Sequence, residues 1–139
     1  MTTFLVSIVA GRLAVVLTPC AILLPYLLRR NRLSRTLGLW QEHEAPYLHR
    51  LWPHVWLGYL ILGLSLVHAG TVMAAMARAN QAGVWAATIA LFLLMLELML
   101  GLSLRNIRLM ERTSVRRFHF WTMAGIVGSL AAHLWLNAR

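Results

Sequence analysis

The sequence predicts an all-α fold, a four-helix transmembrane bundle, and three observations predict it. First, the chain has 139 residues, of which 60% are apolar and only 12% charged, with a mean hydropathy of +0.68. Soluble domains run nearer a quarter charged, and a globule this small could not bury so much apolar surface. Second, the apolar residues fall into four long stretches, each close to the roughly 20 residues that a helix needs to cross about 30 Å of hydrocarbon. Third, those stretches are continuous runs of Leu, Ala, Val and Ile without strict alternation. Backbone groups in lipid must satisfy one another, as a helix or a closed barrel does, and such runs select the helix. A disordered tail, a disulfide-stapled secreted domain (Cys20 is the only cysteine) and a soluble nucleic-acid binder are excluded.

The four expected helices span about 4–28, 51–77, 83–104 and 118–136, within a single domain of residues 1–139. The first contains Pro19 and Pro25, lacks a basic region before its apolar run, and has no clear small-residue cleavage site. It therefore reads as a mature helix, not a signal peptide. The second opens at Leu51-Trp-Pro, the third at Gly83, and the fourth at Phe118 after a basic connection.

Charge sets the expected orientation. All thirteen basic residues are arginine, opposed by Glu42, Glu44, Glu97 and Glu111. The connection after the first helix holds Arg29, Arg30, Arg32, Arg35 and Arg50; that after the third holds Arg105, Arg108, Arg112, Arg116 and Arg117. The opposite side has only Arg78 and Arg139. Positive residues stay cytoplasmic, so both termini are expected outside an inner, cytoplasmic membrane. Helices two and four then run parallel. The basic excess reads as membrane topology, with lipid as partner and no nucleic acid.

Histidine carries the chemistry. His54 and His68 lie in the second helix, His119 and His133 in the fourth, and both pairs are 14 positions apart. At about 1.5 Å and 100° per residue, that is roughly 21 Å along the axis and nearly the same face. Facing helices would bring His54 to His119 and His68 to His133, two imidazole pairs at two depths. A haem iron with two axial histidines needs such a pair, and a helical bundle is a natural container. Zinc also takes histidine, but two ligands are too few for its tetrahedral site. The reading is two b-type haems, the inner iron on His54 and His119 and the outer on His68 and His133.

The stretch His54-Val-Trp-Leu-Gly58, continuing to His68-Ala, resembles a haem-binding helix of ferric-reductase-like transmembrane cytochromes b. Arg116-Arg117-Phe-His119, continuing to His133, is similar to that family's second haem helix. More distantly, the ladder is similar to the haem-binding half of the cytochrome b of quinol–cytochrome c reductases. Over roughly residues 50–137 the resemblance implies two b haems stacked across the membrane between the second and fourth helices.

Other residues support this reading. Arg50, Arg116 and Arg117 sit beside the inner ligands, and Arg12 lies about eight residues into the first helix from the outer side. Each is a candidate partner for haem propionates, since arginine's fork suits carboxylates; each also has a plainer use as anchor or snorkelling cation. Gly58, Gly125 and Gly128 would leave room for a flat macrocycle, or let helices pack closely. Glu97, the one carboxylate inside an apolar run, is expected to pair with an arginine, relay protons or meet a quinone head group. Ser65, Thr71, Thr122 and Ser129 are candidate acceptors for the ligands' second nitrogens. The segment from Leu37 to His49, with Trp40, His43 and Glu44, reads as an interfacial turn or the lip of a quinol site.

The expected function is transmembrane electron transfer through two bis-histidine haems. No stretch reads as a flavin or nicotinamide domain, so the chain is expected to serve as the membrane subunit of a larger redox complex or quinone-linked oxidoreductase. A stand-alone quinone-dependent superoxide or ferric oxidoreductase is the alternative. A haem-free anchor or a histidine-lined metal or proton transporter belongs to another class.

Overall fold

The computed structural model describes residues 2–29, 51–72, 80–106 and 112–138. It is all-helical: α1 (Thr2–Arg29), α2 (Trp52–Val72), α3 (Gln81–Asn106) and α4 (Arg112–Asn137). The expected helix α2 was longer, but its continuation over 73–77 lies outside the described residues, as do Arg50, His43 and His49. At the other end of the chain, α4 starts six residues before the expected 118. Arg112, Arg116 and Arg117 are therefore helical, not part of a loop.

Three helices are long and apolar enough to cross a membrane: Thr2–Leu27, Trp52–Val72 and Gln81–Leu104. Helix α4 is equally long, with 26 residues, but is not among these three. Its two histidines, its Trp, Ser and Thr residues and its basic start lower its hydropathy, although four equivalent spans were expected. None of the most apolar window of α3 is buried inside the protein, and Val9, Trp56, Phe92, Trp121 and Trp135 are among the many large apolar side chains left exposed. Such a surface suits a lipid solvent better than water.

The chain folds as two helical hairpins. Helix α1 packs along α2 and α3 along α4, with a thinner contact between α2 and α3. Helix starts follow local chemistry. Pro53 stands in the first turn of α2, where a missing N–H costs nothing. Asn80 caps α3: its Oδ1 accepts the Ala82 N–H at 3.1 Å, and its carbonyl accepts from Val84 at 3.0 Å. The same Asn80 donates to the Leu136 carbonyl at 2.9 Å, tying the start of α3 to the end of α4. At the opposite end, Arg112 donates to the Leu104 carbonyl at 3.1 Å. Three threonines within the apolar stretches satisfy their hydroxyls within their own helix: Thr18 bonds Ala14, Thr71 bonds Val67 and Thr88 bonds Val84, all four residues back.

Both prolines of α1 sit inside a continuous helix. Each removes one N–H from the ladder and so frees the carbonyl four residues earlier. Pro25 in this way frees the carbonyl of Ala21.

Candidate functional site

Helices α2 and α4 meet through their histidines. The rings of His54 and His119 stand 6.4 Å apart, centre to centre, at 81° to one another. Those of His68 and His133 stand 6.4 Å apart at 78°. The structure thus brings together both expected pairs, and their order makes α2 and α4 parallel. Seven residues after each lower histidine, nearly two full turns on, come Ile61 and Ile126; both are buried, at 4% and 8% exposure. Each ladder therefore reads His, Ile, His on one face, with the apolar residue half-way between the two levels.

Three of the four rings are hydrogen-bonded from behind by the neighbouring helix of their own hairpin, and the fourth, His119, has the Glu97 carboxyl behind it without a hydrogen bond. His54 Nδ1 is 2.9 Å from the Ala21 carbonyl on α1, the one freed by Pro25. His68 Nδ1 is 2.9 Å from the Ser7 carbonyl and 3.1 Å from Ser7 Oγ, also on α1. His133 Nδ1 is 3.0 Å from the Gly83 carbonyl on α3, with the amide of Asn137 3.2 Å away on its own helix. His119 Nδ1 lies 3.1 Å from Glu97 Oε1 on α3, off the direction of a straight hydrogen bond, and Glu97 Oε2 is buried without a partner among the described residues. With a carbonyl accepting at Nδ1, the imidazoles of His54, His68 and His133 carry their proton there, leaving the Nε2 lone pair for a metal. The acceptors are therefore not the expected Ser65, Thr71, Thr122 and Ser129. Thr71 bonds carbonyls of its own helix. For His54, His68 and His133 the neighbouring helix of the hairpin supplies the acceptor instead.

Close approach of backbone makes this possible. A Cβ on Gly11 would stand 2.8 Å from His68 Nδ1 and 3.0 Å from its Cε1, so the missing side chain admits the ring. Gly83 similarly makes room for Asn137, whose Cγ would be 3.0 Å from an added Cβ. Gly101 borders His119, 3.6 Å from Cε1. The sequence reading missed Ser7, Gly11, Gly83, Gly101 and Asn137. Pro25, four residues after Ala21, was the one available signal for the His54 acceptor.

The remaining candidates are placed as follows. The open side of Gly58 faces Leu98 of α3 at 3.5 Å, and that of Gly125 faces Leu93 at 3.0 Å; at both positions the structure displays helix packing. An added Cβ at Gly128 meets nothing within 4 Å. Arg12 is exposed, one residue from Gly11 and so at the depth of the His68 pair. Arg116 and Arg117 line an open cleft with Thr113, Phe120 and Trp121, within one turn of His119. Glu97 meets His119 rather than an arginine. Cys20 is exposed.

The residues fit the iron of a haem. With metal–imidazole bonds of about 2 Å and a ring centre about 1.1 Å behind the bonding nitrogen, two imidazoles across one metal stand about 6.3 Å apart. Both pairs meet that spacing. No group of three or more His, Cys, Asp or Glu that could hold a metal occurs among the described residues. Two protein donors suit a metal that brings its other four in a macrocycle, and fall short of a tetrahedral zinc site. Compared with known proteins, the chain matches no family model, no curated protein and no solved structure.

Proposed function

We propose that this chain is a membrane-embedded b-type cytochrome that carries electrons between two bis-histidine haems, one held by His54 and His119 and the other by His68 and His133. The observation that carries the reading is the repeated ring pair at 6.4 Å, each ring backed at Nδ1 by a group of the adjacent helix. When bound, a haem of this kind supplies one-electron chemistry at its iron. The chain's own part is to bind, orient and tune. Backbone acceptors fix the tautomer of the ligands and raise their basicity. Ile61 and Ile126 keep the layer between the two levels apolar, and the lipid-facing surface excludes water from the path.

In this reading the arginine-rich ends of α3 and α4 face the cytoplasm, both termini face outside, and electrons are exchanged with a partner redox subunit or a membrane quinone. Arg12, Arg50 and Arg117 remain the candidates for the propionates. The direct test is a reduced-minus-oxidised spectrum and haem content of purified protein. Two low-spin b haems per chain are expected; colourless, folded protein overturns the proposal.

Two smaller effects follow from residues behind the ligands. Arg12→Leu removes a cation at the outer level, and cations favour the reduced, less positive haem. Its potential should fall in a redox titration while the other stays in place; two unchanged potentials would leave Arg12 as a lipid-facing anchor. Pro25→Ala returns an N–H to compete for the Ala21 carbonyl. Because a carbonyl has two lone pairs, haem affinity at the His54 level should weaken only about tenfold, the lower end of the range for groups behind a metal ligand, as read by haem transfer to apomyoglobin.

A further inference from the structure

The two histidine levels differ in the charge behind the ligands. At the His68–His133 level both Nδ1 atoms meet neutral groups: the Ser7 carbonyl and hydroxyl, the Gly83 carbonyl and the Asn137 amide. At the His54–His119 level one partner is the neutral Ala21 carbonyl, but the other is the Glu97 carboxyl, 3.1 Å from His119 Nδ1. Glu97 is the only acidic residue of the chain within an apolar helix stretch. Its side chain is 15% exposed, and Oε2 has no partner among the described residues. Among the described residues no arginine pairs with that carboxyl.

We infer that Glu97 is a positioning and tuning residue that makes the His54–His119 site the lower-potential of the two. The inference rests on the haem reading above. A carboxylate behind a ligating imidazole draws the Nδ1 proton, strengthens donation from Nε2 and adds negative charge near the iron. Both effects stabilise the ferric over the ferrous state. Among the described residues, the opposing charges nearest His119 along its helix are Arg116 and Arg117, both exposed at the open cleft. Exposed charges are screened by solvent and salt, whereas a charge in the low-dielectric interior is not. The half-buried carboxyl, in contact with the ring itself, therefore has the larger influence on that site. With haems bound, an electron at the His54–His119 level would pass downhill to the His68–His133 level, the first site being oxidised as the second is reduced. Flow runs away from the arginine-rich helix ends.

The experiment is a spectroelectrochemical titration of haem-loaded protein in detergent, with haem content measured on the same samples. Wild type should titrate in two one-electron steps. His68→Ala, which retains the His54–His119 site, should titrate at the lower of them; titration at the higher step overturns the assignment. Glu97→Gln should raise the lower step by at least tenfold in the reduction equilibrium, about 59 mV for one electron, and leave the upper step in place. Glu97→Asp should restore most of the difference. An unmoved lower step in Glu97→Gln protein that keeps two low-spin haems overturns the role of Glu97 and leaves the haem reading intact. Wild type without haem instead overturns the reading on which it rests.

Discussion

Replacing His68 with alanine should halve the haem content of the protein, from two per chain to one, and leave the remaining haem low-spin. The reason lies in the separation of the two levels. His68 and His133 face each other at 6.4 Å, and the other pair lies about 21 Å away along the helices. With Ile61 and Ile126 half-way between, loss of one ring leaves the far pair undisturbed. His133→Ala should behave identically, and the double variant should lose no more than either single one. His54→Ala or His119→Ala should remove the other haem. Pyridine haemochrome content and the low-spin signals in electron paramagnetic resonance check this. Two low-spin haems retained in His68→Ala would show that the pairing is wrong.

Replacing Gly11 with valine should have the second-largest effect, although Gly11 is no ligand. Even its first added carbon would stand 2.8 Å from His68 Nδ1, closer than real Cβ contacts come, and two further methyls make the overlap worse. The ring must then retreat from α1, breaking its bonds to the Ser7 carbonyl and hydroxyl. Loss of such orienting groups typically costs 10–100-fold in metal affinity. On the proposed reading, a haem at the His68–His133 level should therefore dissociate about 10–100-fold more readily while that at the His54–His119 level holds. Haem transfer to apomyoglobin, followed at two wavelengths, reads both rates. A control is Gly63→Ala, where an added Cβ meets nothing within 4 Å and no change is expected. Equal retention in Gly11→Val would mean that the approach of α1 does not orient His68.

Much of the architecture follows from composition and spacing. Apolar runs of near 20 residues specify helices because lipid offers no partner for an unpaired backbone group. The 14-residue histidine interval specifies a shared face because it is close to four turns. Its repetition in two helices then specifies a ladder. What spacing does not give is the end of each helix. Arg112–Arg117 belongs to α4, not to a loop, because arginine is a good helix former and charge alone does not stop a helix at the membrane surface. Hydropathy also treats α4 differently from the other three, for the histidines that carry the proposed chemistry make it the most polar of the four.

The groups behind the ligands were the least accessible. Each hydrogen bond of this kind joins residues 33 to 61 positions apart, and no local pattern encodes which carbonyl of a neighbouring helix will lie opposite a ring. Ser7, Gly11 and Gly83 look like ordinary small residues until the hairpins are packed.

By itself, the sequence determined a helical, lipid-facing chain and two pairs of histidines in matching register, because helix periodicity and the energetics of apolar surface act locally. Tertiary structure alone decided which helix lies behind each ring: α1 behind His54 and His68, α3 behind His119 and His133. It thereby placed the Glu97 carboxyl behind one ring pair and, among the described residues, neutral groups behind the rings of the other. That asymmetry depends on how two hairpins pack through side-chain shape, a property of the whole chain rather than of any segment.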